Sequence, residues 1–279
     1  MNGLESRRAG SRSILWAVLI ILVIIYAFPF VYMLFTSFKT PIETNAIPPT
    51  ILPNTWTIQN YVTALNTQGV LTSFLNSIQT AVLSTVISLM LAIPAAYAVT
   101  RFRTRLGRVF ILVALVMRMV PAIVVGAPLI SLFHSVGLSD TSLALAIAQA
   151  TVSLPLSIWL MASFFEAVPD DLEEAARIDG CSRLGSLWRV VLPVTRGGVA
   201  VAAIFAFLAS WNDFIFALLL TSVRAVTTPL EIANFQSQFG LDWGSMTSLA
   251  VLYSIPVILL TLILQRHIVA GLTLGAVKG

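Results

Sequence analysis

Charge is what this chain has least of. Only 10% of its 279 residues are Asp, Glu, Lys or Arg, against 58% that are hydrophobic. A soluble domain carries about 25% charged residues, so water is not the solvent for most of this surface. Cysteine is nearly absent as well. The lone Cys181 excludes an intrachain disulfide and argues against a cysteine-ligated metal. The two histidines, His134 and His267, cannot form an H-E-x-x-H zinc pattern. The two lysines, Lys39 and Lys278, lie in no G-x-x-x-x-G-K-[ST] loop, so this sequence carries no phosphate cradle of that kind.

What the chain does have is long apolar runs. Crossing a bilayer takes roughly 20 apolar residues in a helix. Six stretches qualify: 14–38, 74–99, 109–133, 142–165, 198–220 and 246–264. The first is too long for a signal peptide and no small-residue cleavage site follows it, so it reads as a retained anchor. No alternation typical of a membrane barrel is present. The expectation is an all-α integral membrane protein of six spans, one permeation-type domain over 14–279 preceded by a basic tail, 1–13.

The basic residues orient it. With six spans, one side receives Arg7, Arg8, Arg12, Arg101, Arg103, Arg105, Arg108, Arg177, Arg183, Arg189, Arg196, Arg266 and Lys278, and the other only Lys39 and Arg224. The positive-inside rule then puts both termini, the 265–279 tail and the 166–197 segment in the cytoplasm. The net charge of +4 belongs to this asymmetry and to the lipid surface, and does not signal a nucleic-acid partner.

One cytoplasmic stretch, 169–193, looks soluble. Pro169 and Asp170 read as a helix start, with Asp170 and Glu173 spaced as a capping box. Leu172, Ala175 and Ala176 make a small apolar face, and Glu173 and Arg177 an i, i+4 pair on the solvated side. Gly180 suits a helix stop. Leu184, Leu187, Trp188 and Val191 form a second apolar stripe, ended at Leu192-Pro193. Such a hairpin fits either a loop folded on its own bundle or an interface.

The residues then carry a resemblance. Glu174-Ala175-Ala176, three residues to Gly180, nine more, then Val190-Val191-Leu192-Pro193 resembles the EAA loop of binding-protein-dependent ABC import permeases, with valine for the usual isoleucine. "LNSIQTAV" from Leu75, "PAAYAVTRFR" from Pro94, "SWNDF" from Ser210 and "QRHIVAGLTLGAVKG" from Gln265 are similar to the sugar-import branch, the last to MalG-type permeases. The resemblance implies the type I importer permease fold and a bacterial inner-membrane location. It implies a MalF-type second permease, two cytoplasmic ATPase subunits that bind ATP and Mg, and an extracytoplasmic sugar-binding protein. It implies no cofactor and no catalytic residue in this chain. It makes 169–193 the coupling hairpin, with Glu174, Ala175, Ala176, Asp179, Gly180, Leu192 and Pro193 as the ATPase-facing set. A sugar of the trehalose or maltose type is the expected cargo, and glycerol phosphate or its diesters the alternative.

Polar groups inside the spans are the candidates for the substrate path. Arg118 is the most expensive, at about 2.5–3.5 kcal/mol near a helix centre. It suits either a donor to substrate or an ion pair with Asp213. Pro121 and Pro128 are expected to loosen the third span. Trp211 suits stacking on a sugar ring or interhelical packing, and Asn212 suits hydrogen bonding to hydroxyls or to a neighbouring helix. An intramembrane enzyme is the rival class, resting on a Ser–His pair that spacing alone leaves open. The segment 221–245 resembles the loop that reaches towards the external binding protein.

Overall fold

Helices form where the apolar runs are. A computed structural model describes the backbone of residues 2–237 and 240–274, and the side chains of 15–107, 109–235 and 241–262. In chain order the elements are α1 Asn2–Ser37, α2 Pro41–Thr44, α3 Gln59–Asn66, α4 Val70–Phe102, α5 Arg105–Met117, α6 Ala122–Ser135 and α7 Ser142–Glu166. They continue with α8 Asp170–Ile178, α9 Arg183–Ser186, a π turn Leu187–Val191, α10 Leu192–Val194, α11 Arg196–Trp211, α12 Ile215–Leu220, α13 Thr228–Asn234 and α14 Trp243–Leu274. A two-residue antiparallel ladder, β1 Gln236–Ser237 with β2 Gly240–Leu241, is the one extended pairing among the described residues. Residues 275–279 of the expected C-terminal tail, Lys278 among them, lie outside the described residues.

Four unbroken helical stretches are long and apolar enough to cross a membrane: Leu15–Ser37, Val70–Phe102, Ser142–Glu166 and Trp243–Leu262. Six result if each of two bent pairs counts as one span. The expected third span is such a pair, α5 and α6 meeting at 93°. Its break falls at Pro121, which has no N–H to donate and opens α6 instead of continuing α5. Pro128 does not break the chain; it lies inside α6. The expected fifth span is also interrupted, where Asn212, Asp213 and Phe214 separate α11 from α12.

The chain divides into two compact units, residues up to 68 with 232–254, and 69–231 with the residues from 255 on. In the first, Asn60 Nδ2 donates to the carbonyls of Ser37 at 2.9 Å and Lys39 at 2.7 Å. Lys39 is buried, donating to the Thr50 carbonyl at 2.5 Å and lying 4.8 Å from the Tyr32 ring centroid. Paired this way, a buried ammonium escapes the cost of lost hydration.

In the second unit α4, α7 and α11 pack closely because the facing residues are small. Ala92, Ala96, Ala162 and Ala202 are all buried, with Met161, Phe165, Leu187 and Val191 filling between them. Ser88 and Ser153 share a hydrogen bond at 2.6 Å across α4 and α7. At Gly198 a Cβ would stand 2.3 Å from the Phe164 ring, so only glycine allows α11 this approach. Where the solvent is lipid, packing of this kind replaces the hydrophobic drive between helices. A second buried cluster joins Phe133 of α6, Ala144, Leu145 and Ala148 of α7, and Phe216 and Ala217 of α12.

Candidate functional site

The hairpin 169–193 is helix, turn, helix, but its faces differ from those the spacing suggested. Pro169 precedes α8 without a side-chain cap, and Asp170 and Glu173 form no capping box. Asp170 turns instead to two arginines at the end of α4 and just beyond it: Arg101 Nη1 at 2.9 Å and Arg103 Nη2 at 2.6 Å. Glu173 is not on the solvated side with Arg177. It is buried, receiving the Tyr97 hydroxyl at 2.7 Å and the Nε of Arg101. A carboxylate with partners of opposite charge was the better bargain there, since capping satisfies one N–H while this site satisfies a whole guanidinium.

Gly180 makes the turn at φ +91°. A Cβ there would meet nothing within 4 Å, so the need for glycine is the left-handed backbone and not close approach. The second arm runs past Leu192-Pro193 to Val194. It does so through the π turn, in which the Leu192 N–H reaches back five residues to the Leu187 carbonyl. The chain then bends by 83° into α11.

The expected second stripe splits. Leu187 and Val191 are buried in the α4–α7 core, whereas Leu184 and Trp188 are 63% and 62% exposed. On α8, Ala176 is buried, and Leu172, Ala175 and Ile178 are exposed, Ile178 at 86%. Glu174, Asp179 and Gly180 are exposed with them, Pro193 likewise, while Leu192 is half-buried. Part of the hairpin is thus fastened to the bundle, and the rest exposes both apolar and charged side chains.

The polar groups of the spans separate in space. Arg118 closes α5 at the 93° break and is exposed. Asp213 does not pair with it. Its carboxylate takes the Gln149 amide at 3.1 Å and the backbone N–H groups of Phe216 and Ala217 at 3.3 and 3.2 Å, starting α12. Gln149 in turn accepts from Ser210 on α11. Trp211 is buried, stacked on Phe207 at 5.4 Å and edge-on to Phe74 at 5.9 Å. Asn212 is exposed, and its side-chain amide donates to the Leu208 carbonyl at 2.9 Å. Ser139 Oγ lies 3.4 Å from His134 Nδ1, and both residues are exposed. Among the described residues no group of three or more His, Cys, Asp or Glu is placed to hold a metal ion.

A family model described as binding-protein-dependent transport system inner membrane component matches residues 84–274, a segment that contains the hairpin. The chain belongs to this family. It is 39% identical over 271 residues to the trehalose transport system permease protein SugB of Mycobacterium tuberculosis, covering 96% of this chain and 98% of that one. It is 37% identical over 265 residues to the trehalose/maltose transport system permease protein MalG of Thermococcus litoralis, covering 93% and 94%. Among solved structures, a bacterial ABC transporter involved in the import of the acidic polysaccharide alginate aligns at TM-score 0.78 and 23% identity over 93% of this chain and 97% of its own, which speaks for the fold. The MalG-type resemblance read from the EAA spacing and the flanking motifs is met by these relatives, and the protein is a multi-pass membrane permease.

Three groups of the permease went unnoticed in its sequence. Arg101 counted only as one of many basic residues, yet it joins α4 to α8. Gln149 organises the break in the fifth span. Asp140, in left-handed backbone at φ +53°, gathers the N–H groups of Ser222, Val223, Arg224 and Ala225 at 2.9–3.1 Å, with the Ser222 hydroxyl at 3.1 Å. Burial pushes its carboxyl up, but the four backbone donors outweigh this and hold it at about 2. Asn76 donates to the carbonyls of Arg224 and Val226 at 2.9 Å, fastening the same segment to α4.

Proposed function

We propose that this permease carries a sugar, a di- or oligosaccharide of the trehalose or maltose type, into the cytoplasm as one half of an ATP-driven importer. Its partners are a MalF-type permease, two copies of a cytoplasmic ATPase that bind ATP and Mg, and an extracytoplasmic binding protein that delivers the sugar. The hairpin 169–193 docks on one ATPase. Closure of the ATPases around ATP displaces the hairpins, and the two permeases rock between inward-open and outward-open states. The basic ends face the cytoplasm, in the inner membrane of a bacterium.

One observation carries the docking role. The hairpin exposes Leu172, Ile178, Leu184 and Trp188 as well as Glu174, while Glu173, Ala176, Leu187 and Val191 are buried or ion-paired. An exposed aromatic among apolar and charged neighbours is what a protein interface uses as an anchor. The sugar follows from relatives that share more than nine-tenths of the chain and are named for trehalose and maltose transport. Glycerol phosphate draws on Arg118 alone, and no other residue favours it.

Co-purification tests the docking. Tagged permease is extracted from its native membranes in mild detergent, and the same is done with Trp188→Glu and Glu174→Arg. The expected result is an ATPase and a second permease with the parent chain, and loss of the ATPase alone from the two variants. Recovery of the permease without any ATPase, or variants that retain it in full, would remove the hairpin from the coupling role.

A further inference from the structure

Arg101 bonds with all three of its guanidinium nitrogens to the segment 168–173. Nε bonds Glu173, Nη1 bonds Asp170 at 2.9 Å and Nη2 bonds the Val168 carbonyl at 3.2 Å. One helical turn earlier on α4, the Tyr97 hydroxyl lies 2.7 Å from the other oxygen of Glu173 and 3.2 Å from the Arg183 carbonyl across the hairpin turn. The Tyr97 ring stands edge-on to Phe165 of α7, 6.2 Å away. Tyr97 and Arg101 are i, i+4 on α4, and Asp170 and Glu173 are i, i+3 on α8, so each pair occupies one helix face. The Arg101 and Glu173 side chains are each only 10% exposed.

A buried ion pair is poor value for stability alone, because apolar residues of the same volume often do as well. Its distinguishing property is direction. An apolar contact lets one helix slide over another, whereas a planar fork bonded at every nitrogen fixes both distance and angle. The two adjacent glutamates of the hairpin are divided accordingly: Glu174 is exposed, and Glu173 points into the bundle.

We propose that Arg101, Glu173 and Tyr97 form a rigid strut that makes α8 and the end of α4 move as one body, delivering each displacement of the hairpin to α4. These are positioning residues, and the strut rests on the coupling role proposed for the hairpin. Its loss leaves the exposed side chains of the hairpin intact, so docking and transmission become separable.

The test uses the co-purified complex in a Cys181→Ser background. Leu75→Cys, exposed on the far end of α4, is labelled with a water-soluble maleimide with and without ATP and vanadate. The expected result is a labelling change in the parent that falls at least about tenfold in Arg101→Met and Glu173→Gln, and partly in Tyr97→Phe, while the ATPase still co-purifies. A change of parental size in the variants would overturn the strut. As a second arm, Arg103→Cys and Asp170→Cys are bridged with a short bismaleimide. Helices that move as one body keep ATP hydrolysis when bridged; hydrolysis abolished by the bridge would mean that α8 moves against α4, and would also overturn it. A parent complex with no ATP effect at Leu75→Cys would be a failure of the coupling role itself, visible before any strut variant is made.

Discussion

The two ends of the α4–α7 bundle solve the same problem in opposite ways. At one end Arg101, Glu173, Asp170 and Tyr97 join α4 to α8 by side chain alone. At the other, the single carboxylate of Asp140 holds a four-residue stretch, 222–225, almost entirely by backbone N–H. Side-chain pairing fixes one helix face to another and leaves the rest of each helix free to present a surface. Backbone capture fixes a loop whatever its side chains are. The first suits an element that transmits motion, with Trp188 and Ile178 exposed beside it. The second suits a platform, on which Val223 and Arg224 are 80% and 75% exposed.

The largest way to break this contrast is Arg101→Met. It leaves Glu173 buried without its cation, and a loss of about 3–5 kcal/mol is expected in the unfolding of the detergent-solubilised protein. Adding Glu173→Leu to it is expected to recover much of that stability, because the uncompensated charge is gone. If the double variant stays as unstable as the single one, the pair is not what joins the helices.

Asp140→Asn comes next, at about 2 kcal/mol, since an amide presents N–H to a ring of N–H donors. Its effect is expected to be local, as faster amide hydrogen exchange over 221–226 with 92–101 unchanged. The pH dependence has a definite sign. A carboxyl held at about 2 in the folded state, against an ordinary 3.8, contributes stability above about pH 4 and loses it as pH falls towards 2. Exchange over 221–226 is therefore expected to be flat between pH 5 and 8 once corrected for intrinsic rates, and to lose protection only in acid.

How much of this was legible beforehand follows from what a sequence can express. The apolar runs give the long helices, and α4 and α7 enclose the stretches 74–99 and 142–165 read from the sequence. The turn at Gly180 was legible because left-handed backbone selects glycine. The breaks at Pro121 and at 212–214 were only half legible, since proline signals a break at one site and sits inside α6 at another, Pro128. Glu173 was misread because three-residue spacing from Asp170 fits a capping box and an ion-pair face equally well. Asp140 gave no signal, because its donors are backbone groups more than eighty positions away. Two of the left-handed glycines, Gly180 at φ +91° and Gly137 at +73°, leave a Cβ free of contacts. Alanine at either is expected to cost about 1 kcal/mol, with transport impaired only by the one in the hairpin.

The smallest effect belongs to Arg103→Gln. Its bond to Asp170 is short, but the Arg103 side chain is 72% exposed, so an unfolding free energy within about 1 kcal/mol of the parent is expected. Equality of Arg103→Gln with Arg101→Met would erase the difference between the buried strut and its solvated neighbour.

The most direct test of import is uptake by the complete complex in proteoliposomes, with the binding protein outside and radiolabelled trehalose or maltose as probe. The expected result is accumulation that requires ATP within the lumen that meets the hairpin side, requires the binding protein on the other side, and is lost in Trp188→Glu. Uptake that proceeds without ATP, or that survives removal of the binding protein and the ATPase, would contradict an ATP-driven sugar importer.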